Sequence, residues 1–355
     1  MSFTDKINSV QRVVVYGAQA IASGVVYSLI DVFKKIPEAL IVSDISGNPM
    51  EICGIKVIAL AEAVNLKDCL VLIATPQNLH NDIINVLTNY GFNNYIAIDS
   101  ILEYELMSQY FRKTGRFKML DDLYLSDVVS DTKIFLVRSV FDKNISCSVD
   151  LIKKNIVEIQ AGAALTDIRF AEKTDVDGKN ISKNNNTFCE LTVTYWVWKN
   201  VKANYKGIFH YRRLLDISDE DYKRISTVDV VLPLPFIIYP NASSQFMRFI
   251  HDDEFCVLLS VLKQLAPRYY IAAHKYWYES YLYNYNILVA KESVFDSYCE
   301  FLFEILFAVS DFFEKRCVQR SDRYLGYLGE ILTSLYFMVN SDQLNIAHAK
   351  KIWLV

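Results

Sequence analysis

Between residues 12 and 98, short β-branched runs alternate with amphipathic stretches, and this alternation constrains the fold of the first hundred residues more than any other feature. Arg12-Val13-Val14-Val15-Tyr16 ends at Gly17, and Ile21, Val25, Leu29 and Phe33 follow at helical spacing. Residues 39–43 read as a second strand ending at Asp44, with a turn at Ser46-Gly47-Asn48-Pro49 and another strand at Lys56-Val57-Ile58. Residues 70–74 form a buried strand stopped by Thr75-Pro76; Ile83, Ile84, Val86 and Leu87 mark a helix, and residues 95–98 a last strand. This is the rhythm of a small Rossmann-like parallel sheet over residues 1–100.

A dinucleotide site on such a sheet needs glycines in the pattern G-x-G-x-x-G, where backbone N–H groups meet a pyrophosphate. The turn here reads Gly17-Ala18-Gln19-Ala20-Ile21-Ala22-Ser23-Gly24, so the second and third glycines are missing. Asp44 stands where a ribose would be held, a position that acids also occupy without any ligand. The expectation is a nucleotide-type scaffold with an incomplete signature, and NAD is not expected as a cofactor.

Residues 101–131 carry helical spacing and charge and read as a helical connector. An apolar strand at 134–137 then opens a second domain, 132–355, whose clearest helix, 292–316, repeats Phe295, Tyr298, Cys299, Leu302, Leu306, Val309 and Phe313 at three- and four-residue intervals. With 37 basic against 41 acidic residues, the net charge of −4 argues against nucleic acid as a partner. The seven cysteines are scattered, with no C-x-x-C pair, which predicts reduced thiols and no structural zinc. The opening MSFTDKINSV lacks the pattern of a secretory signal, and no run of eighteen apolar residues occurs, so a soluble, cytoplasmic protein is expected. An apolar content of 52% fits a covered patch, for which peripheral docking at the inner membrane face is one reading.

Three stretches of the second domain are dense in distinctive residues: 160–167, 175–200, and Gly207-Ile208-Phe209-His210-Tyr211-Arg212-Arg213. Together with Asp229-Val230-Val231-Leu232-Pro233, His251, Asn286 and Arg323-Tyr324-Leu325-Gly326-Tyr327-Leu328-Gly329-Glu330, they resemble the bacterial polysaccharide-biosynthesis proteins grouped as domain of unknown function 4422. The similarity spans about residues 134–340; Lys179 departs from the acid usual in the family, and Gly329 from a frequent serine. The resemblance implies an α/β fold with a GT-A-like glycosyltransferase domain, a nucleotide-sugar donor (UDP-linked, with UDP-galactofuranose one candidate), and a glycan or lipid-linked acceptor in capsule, exopolysaccharide or O-antigen assembly. On the matching segments it points to Gly162, Ala163, Thr166, Asn180, Arg212 and Arg213 for the donor, and to His251 and Asn286 for the acceptor.

The chemistry can be asked of the residues themselves. Loss of a diphosphate builds negative charge that Arg, Lys or a divalent cation must meet. If 207–213 is extended throughout, His210 and Arg212 share one face and Arg213 points away; the acids Asp216, Asp219, Glu220 and Asp221 offer a plain ion-pair explanation of the arginines. Asp175-Val176-Asp177 and Asp219-Glu220-Asp221 have the spacing of an Asp-x-Asp cation motif, but a turn at Gly178 and a helix start after Ser218 explain them equally well. Metal ligands thus stay unassigned, with Mn or Mg the ion to test. An inverting transfer needs a base; Glu330, beside Gly326, Gly329 and Arg323, leads, with His210, Asp175 and His251 as alternatives for base or ligand. Tyr278, within the aromatic tract 269–285, is a stacking candidate for the acceptor, while most of its neighbours read as packing residues. An NAD-linked sugar oxidoreductase or epimerase, and a non-catalytic glycan-binding scaffold, are the competing functions.

Overall fold

The computed structural model describes residues 3–142, 156–316 and 323–353. The chain divides into two compact units, Met1–Lys118 with Phe236–Ser244, and Met119–Pro235 with Gln245–Val355. Among the described residues Cys53, Cys69, Cys189, Cys256 and Cys299 are free thiols; Cys147 and Cys317 lie outside them.

In the first unit, strands β1 (Val13–Tyr16), β2 (Leu40–Val42), β3 (Glu51–Ile52), β4 (Ile55–Ala59), β5 (Leu70–Ile73) and β6 (Tyr95–Ala97) form one sheet in the order β3-β4-β2-β1-β5-β6. All its pairings are parallel except the β3–β4 hairpin. The central strands are buried on both faces, which is why they read as unbroken apolar runs. Val13 and Val15 pack with Val25 and Leu29, whereas Val14 and Tyr16 pack with Leu87 and Phe92 on the opposite face. Gly17, at φ +120°, ends β1 where a Cβ would lie 2.6 Å from the Ala74 carbonyl oxygen, so it is needed for this close approach. Asp44 closes a turn by accepting the Ser46 N–H at 2.9 Å.

Residues 100–114, within the stretch read from the sequence as a connector, form helix Ser100–Thr114. Asp99 caps it by accepting the N–H groups of Ile101 and Leu102, and Gly115 ends it in the left-handed region. It packs inside the first unit, where Met107 meets Gly24 and Lys113 donates to the Asp31 carbonyl at 2.6 Å.

The second unit carries a nine-stranded mixed sheet. Its strands are β7 (Thr132–Arg138), β8 (Ile156–Gln160), β9 (Lys173–Thr174), β10 (Tyr205–His210), β11 (Arg213–Leu215), β12 (Val230–Pro233), β13 (Leu288–Lys291), β14 (Ile346–Ala349) and β15 (Lys351–Trp353). The order is β14-β12-β13-β10-β7-β8-β9, with β11 joining β10 to β15. β10, β7, β8 and β9 run parallel, and β13 is antiparallel to both β10 and β12. Gly207 lies in the middle of β10 because a side chain there would strike Ile134 and Val289 on the flanking strands, at 2.9 and 3.0 Å.

Helix Glu292–Glu314 matches the sequence expectation closely and buries Phe295, Tyr298, Leu302, Leu306 and Val309. Helix Leu191–Asn200 packs on it through Tyr195 and Trp198, both in ring contact with Phe303. Half of the aromatic tract is core: Tyr276, Trp277, Tyr281 and Tyr283 are buried, Tyr269, Tyr270 and Tyr285 are half-buried, and Tyr278 is 78% exposed. No described helix is long and apolar enough to cross a membrane.

Candidate functional site

In an open α/β sheet a crevice forms at the carboxyl ends of the strands, where successive connections leave in opposite directions. In the second unit that point is β7, since the chain moves out to β8 and β9 on one side and returns to β10 on the other. A cavity of about 260 Å³ lies at this point. Val137 and Arg138 line it from the end of β7, with Ser139, Phe141 and Asp142 just beyond, and Ala161 lines it from the residue after β8. Asn185, Asn186, Cys189 and Glu190 form another wall, and His210, Tyr211, Arg212 and Arg323 complete it.

The basic segment turns sharply. β10 stops at His210, Tyr211-Arg212 form a two-residue turn, and Arg213 opens β11 directly opposite His210. This corrects the expectation of one extended strand with His210 and Arg212 on a common face. Arg212 rides the turn into the cavity wall, its Nε–H donating to the Tyr211 hydroxyl. Arg213 is clamped against aromatic faces, its guanidinium carbon 3.6 Å from the Tyr285 ring centre and 4.3 Å from that of Trp353. Arg138 pairs with Glu158, and Arg323 donates its Nε–H to the Cys189 thiol at 3.1 Å.

Burial, reinforced by Arg213, Arg323 and Arg212, pushes the His210 pKa down to about 3. Its Nδ1 accepts the Arg212 N–H at 3.3 Å, so the neutral ring carries its proton on Nε2. So weak a base does not take up a second proton at neutral pH, and the sequence assignment of His210 as a base gives way to that of a hydrogen-bond donor through Nε2–H. Two carboxylates line the cavity. Burial raises the pKa of Asp142, which accepts the Ser139 N–H at 2.7 Å, and burial also raises that of Glu190, which accepts from Asn286 Nδ2 at 2.8 Å. The Cys189 thiol is pushed up to about 12 by burial and then by the charge of Glu190, so it is protonated and unreactive.

Asp175 is fully buried and does not line the cavity. It accepts the N–H groups of Gly162 and Ala163 at 2.8 and 3.0 Å and the hydroxyls of Ser182 and Thr192, both at 2.6 Å. The catalytic expectation for Asp175 is therefore corrected: four donors hold it as the clasp of the 162–163 turn, where Gly162 adopts φ +65°. Gly162 and Ala163, expected to bind donor, have their N–H groups engaged by this carboxylate, while the neighbouring Ala161 faces the cavity. Thr166 accepts the Ile168 N–H at 3.2 Å, and Asn180 ties its own loop through Val176, Gly178 and Ser182. His251 precedes helix Asp252–Leu265, and its N–H is capped by Glu254 at 2.8 Å. Asn286 is buried against Glu190 and the Gly326 carbonyl.

Glu330 borders a separate cavity of about 20 Å³ with Asn284 and Tyr327. Burial and the charge of Glu190 raise its pKa to about 7. Of the predicted residues, then, His210 and Arg212 meet in the cavity wall, and Asn286 and Glu330 lie behind it through Glu190. His251 and Tyr278 are exposed and are not among its lining residues. Arg138 and Asp142 escaped the sequence reading, although the strand-end rule applied to the first strand of the second domain would have found them.

A cation held between paired carboxylates does not fit the two Asp-x-Asp segments. Asp175 is saturated by its four donors, and Asp221 is tied to Ser218 and Arg224 at 2.6–2.8 Å. Among the described residues no cluster of three metal-ligating side chains occurs.

An α/β unit with a basic cavity at the strand ends is the arrangement of a glycosyltransferase-like fold. The chain belongs to the family described as Domain of unknown function (DUF4422), which matches residues 146–341, more than half of its length. It is similar to a solved structure, the apo form of the bifunctional glycosyltransferase WbbM, with a TM-score of 0.54 and 22% identity over 63% of this chain. The match spans 45% of that longer chain. No curated protein matches this sequence.

Proposed function

We propose that this protein is a glycosyltransferase (a hexosyltransferase) of the GT-A type, moving a sugar from a UDP-linked donor, with UDP-galactofuranose as a candidate, to a glycan or lipid-linked acceptor. The process is assembly of bacterial capsule, exopolysaccharide or O-antigen on the cytoplasmic face of the membrane. The observation that carries this reading is the cavity at the ends of β7, β8 and β10, where Arg138, Arg212 and Arg323 surround a space bordered by two carboxylates.

Transfer from a nucleotide sugar leaves a diphosphate whose charge grows as the glycosidic oxygen departs, and fixed guanidinium groups in a partly enclosed site stabilise that charge without reorganising. Arg212 and Arg323 come from separate elements and can bracket a diphosphate, and Arg138 adds a third positive charge, partly offset by Glu158. The Nε2–H of neutral His210 adds a donor for a phosphate or sugar oxygen. Arg213 acts from behind by holding the turn that carries Arg212. No step is assigned to a cation.

The test incubates the purified protein with a panel of nucleotide sugars and lipid-linked or oligosaccharide acceptors and measures nucleoside diphosphate release, with and without Mn or Mg. Release with one donor, reduced in Arg212→Ala with the fold kept, is the expected result; none with any donor removes the proposal.

A further inference from the structure

Glu190 differs from the other carboxylates of the second unit among the described residues. It is buried, it lines the basic cavity, and separate elements face its two oxygens. Asn286 Nδ2 donates to Oε1 at 2.8 Å, and Arg323 Nη2 lies 3.9 Å from Oε2. Asn286 is itself fixed, since its Oδ1 accepts the Thr333 hydroxyl at 3.1 Å and its amide also reaches the Gly326 carbonyl at 3.2 Å.

The backbone is strained on both sides of this carboxylate. Cys189, immediately before it, has φ +51°, and its partner Asn286 has φ +51° after Tyr285 at +84°. Asparagine takes a positive φ readily, but Cys189 and Tyr285 adopt it only where the surroundings over-determine them, and such residues gather at active sites. Gly326 and Gly329 let helix Tyr324–Val339 close on the same corner: a Cβ on Gly326 would lie 3.3 Å from Cys189 Sγ, and one on Gly329 2.6 Å from Leu191 Cδ1. The strain, the glycines and Asn286 all converge on holding one carboxylate at the cavity wall.

We infer that Glu190 is the catalytic base of the transfer, and that Asn286 is its positioning residue. The inference rests on the transferase reading above. As an acceptor hydroxyl oxygen bonds to the anomeric carbon, its proton passes to Glu190. The bond from that carbon to the phosphate oxygen breaks, and its electron pair leaves with the nucleoside diphosphate towards Arg212 and Arg323. Glu190 then returns the proton to water. This single displacement inverts the anomeric centre.

The other candidates fit less well. His210 presents a proton rather than a lone pair at Nε2, Glu330 borders the separate small cavity, and the Asp142 carboxylate holds the Ser139 turn. The groups facing Glu190 are Asn286, Arg323 and Arg213, which favour its charge, and Glu330, Cys189 and Tyr298, whose own ionisation it opposes. Burial raises its pKa against those donors, which brings its basicity closer to neutral pH.

The experiment compares steady-state kinetics of wild type, Glu190→Gln and Asn286→Ala, with calorimetric binding of the nucleoside diphosphate. Glu190→Gln is expected to lower kcat about 100-fold or more, with donor KM and diphosphate affinity within about threefold. Asn286→Ala removes a donor to the carboxylate, so it should lower kcat about tenfold and move the acid limb of the kcat profile to higher pH. If Glu190→Gln does not fold, Glu190→Asp, which withdraws the charge by one methylene, carries the same comparison. Turnover within threefold of wild type in a folded Glu190 variant overturns this inference alone. A wild-type protein that releases no nucleoside diphosphate with any donor and acceptor overturns the transferase reading and this inference with it.

Discussion

Asp175 accepts the Gly162 N–H at 2.8 Å from deep inside the second unit, thirteen residues away along the chain. An acid with the spacing of a cation ligand is thereby the fastener of a loop bordering the cavity. Asp175→Asn keeps the volume but replaces one acceptor oxygen with an amide that faces hydrogen-bond donors. Each buried donor left unmatched costs about 1–3 kcal/mol. The expected loss is about 2–4 kcal/mol, read as a lower urea midpoint with an unchanged slope.

Adjacent arginines should fail in different ways. Arg212 borders the cavity, so Arg212→Ala should reduce kcat/KM by about 10- to 100-fold, the scale of one or two charge-assisted hydrogen bonds, with little change in melting temperature. Arg213 holds its guanidinium close to both the Tyr285 and the Trp353 ring, a pair of cation–π contacts that an ammonium does not reproduce. Arg213→Lys should cost about 1–2 kcal/mol of stability and affect turnover only through the turn it supports. Equal kinetic losses with equal stability would contradict this division.

The reasons some of this was legible in the sequence and some was not are physical. Strands buried on both faces, such as Val13–Tyr16 and Leu70–Ile73, advertise themselves as β-branched runs, and the 3.6-residue period of Glu292–Glu314 is long enough to be unambiguous. The hairpin after His210 carries no Asn-Gly or Asp-Gly signal, because Tyr211-Arg212 occupy the turn, so the alternation of an extended strand puts Arg212 beside His210 and Arg213 away from it for the wrong backbone reason. Glu190 depends on positive φ angles at Cys189 and at Tyr285 before Asn286, and tertiary packing rather than local preference imposes those. Arg138 and Arg323 come together only once the sheet order is known.

Two titrating groups give the fold an opposed pH response. His210 falls from 6.5 to about 3 on folding, so the unfolded chain binds its proton first, and stability drops as pH falls below 6.5. Glu330 rises from 4.5 to about 7, so the folded chain keeps a proton that the unfolded chain releases, and stability drops as pH rises from 4.5 through 7. Each slope is at most about 1.4 kcal/mol per pH unit. Between pH 4.5 and 6.5 they cancel. Urea unfolding across that range should show stability falling more steeply with rising pH in His210→Asn than in wild type, and rising relative to wild type in Glu330→Gln. Parallel profiles for all three proteins would refute the assignment.

Lys206 supplies a last contrast, because its ammonium is fully buried in β10 while its partners are partly exposed. Its Nζ lies 2.9 Å from Asp296 and 3.1 Å from Glu292, on the helix that packs beside the sheet. Removing the acids strands a charge that water cannot reach, whereas removing the lysine leaves carboxylates that water can solvate. The double variant Glu292→Gln with Asp296→Asn should therefore destabilise by about 3–5 kcal/mol, and Lys206→Met, of similar length and apolar, by much less. Urea titrations of both decide it: a larger loss in Lys206→Met would mean that the ion pairs themselves, rather than the desolvated ammonium, dominate the energetics at the centre of this sheet.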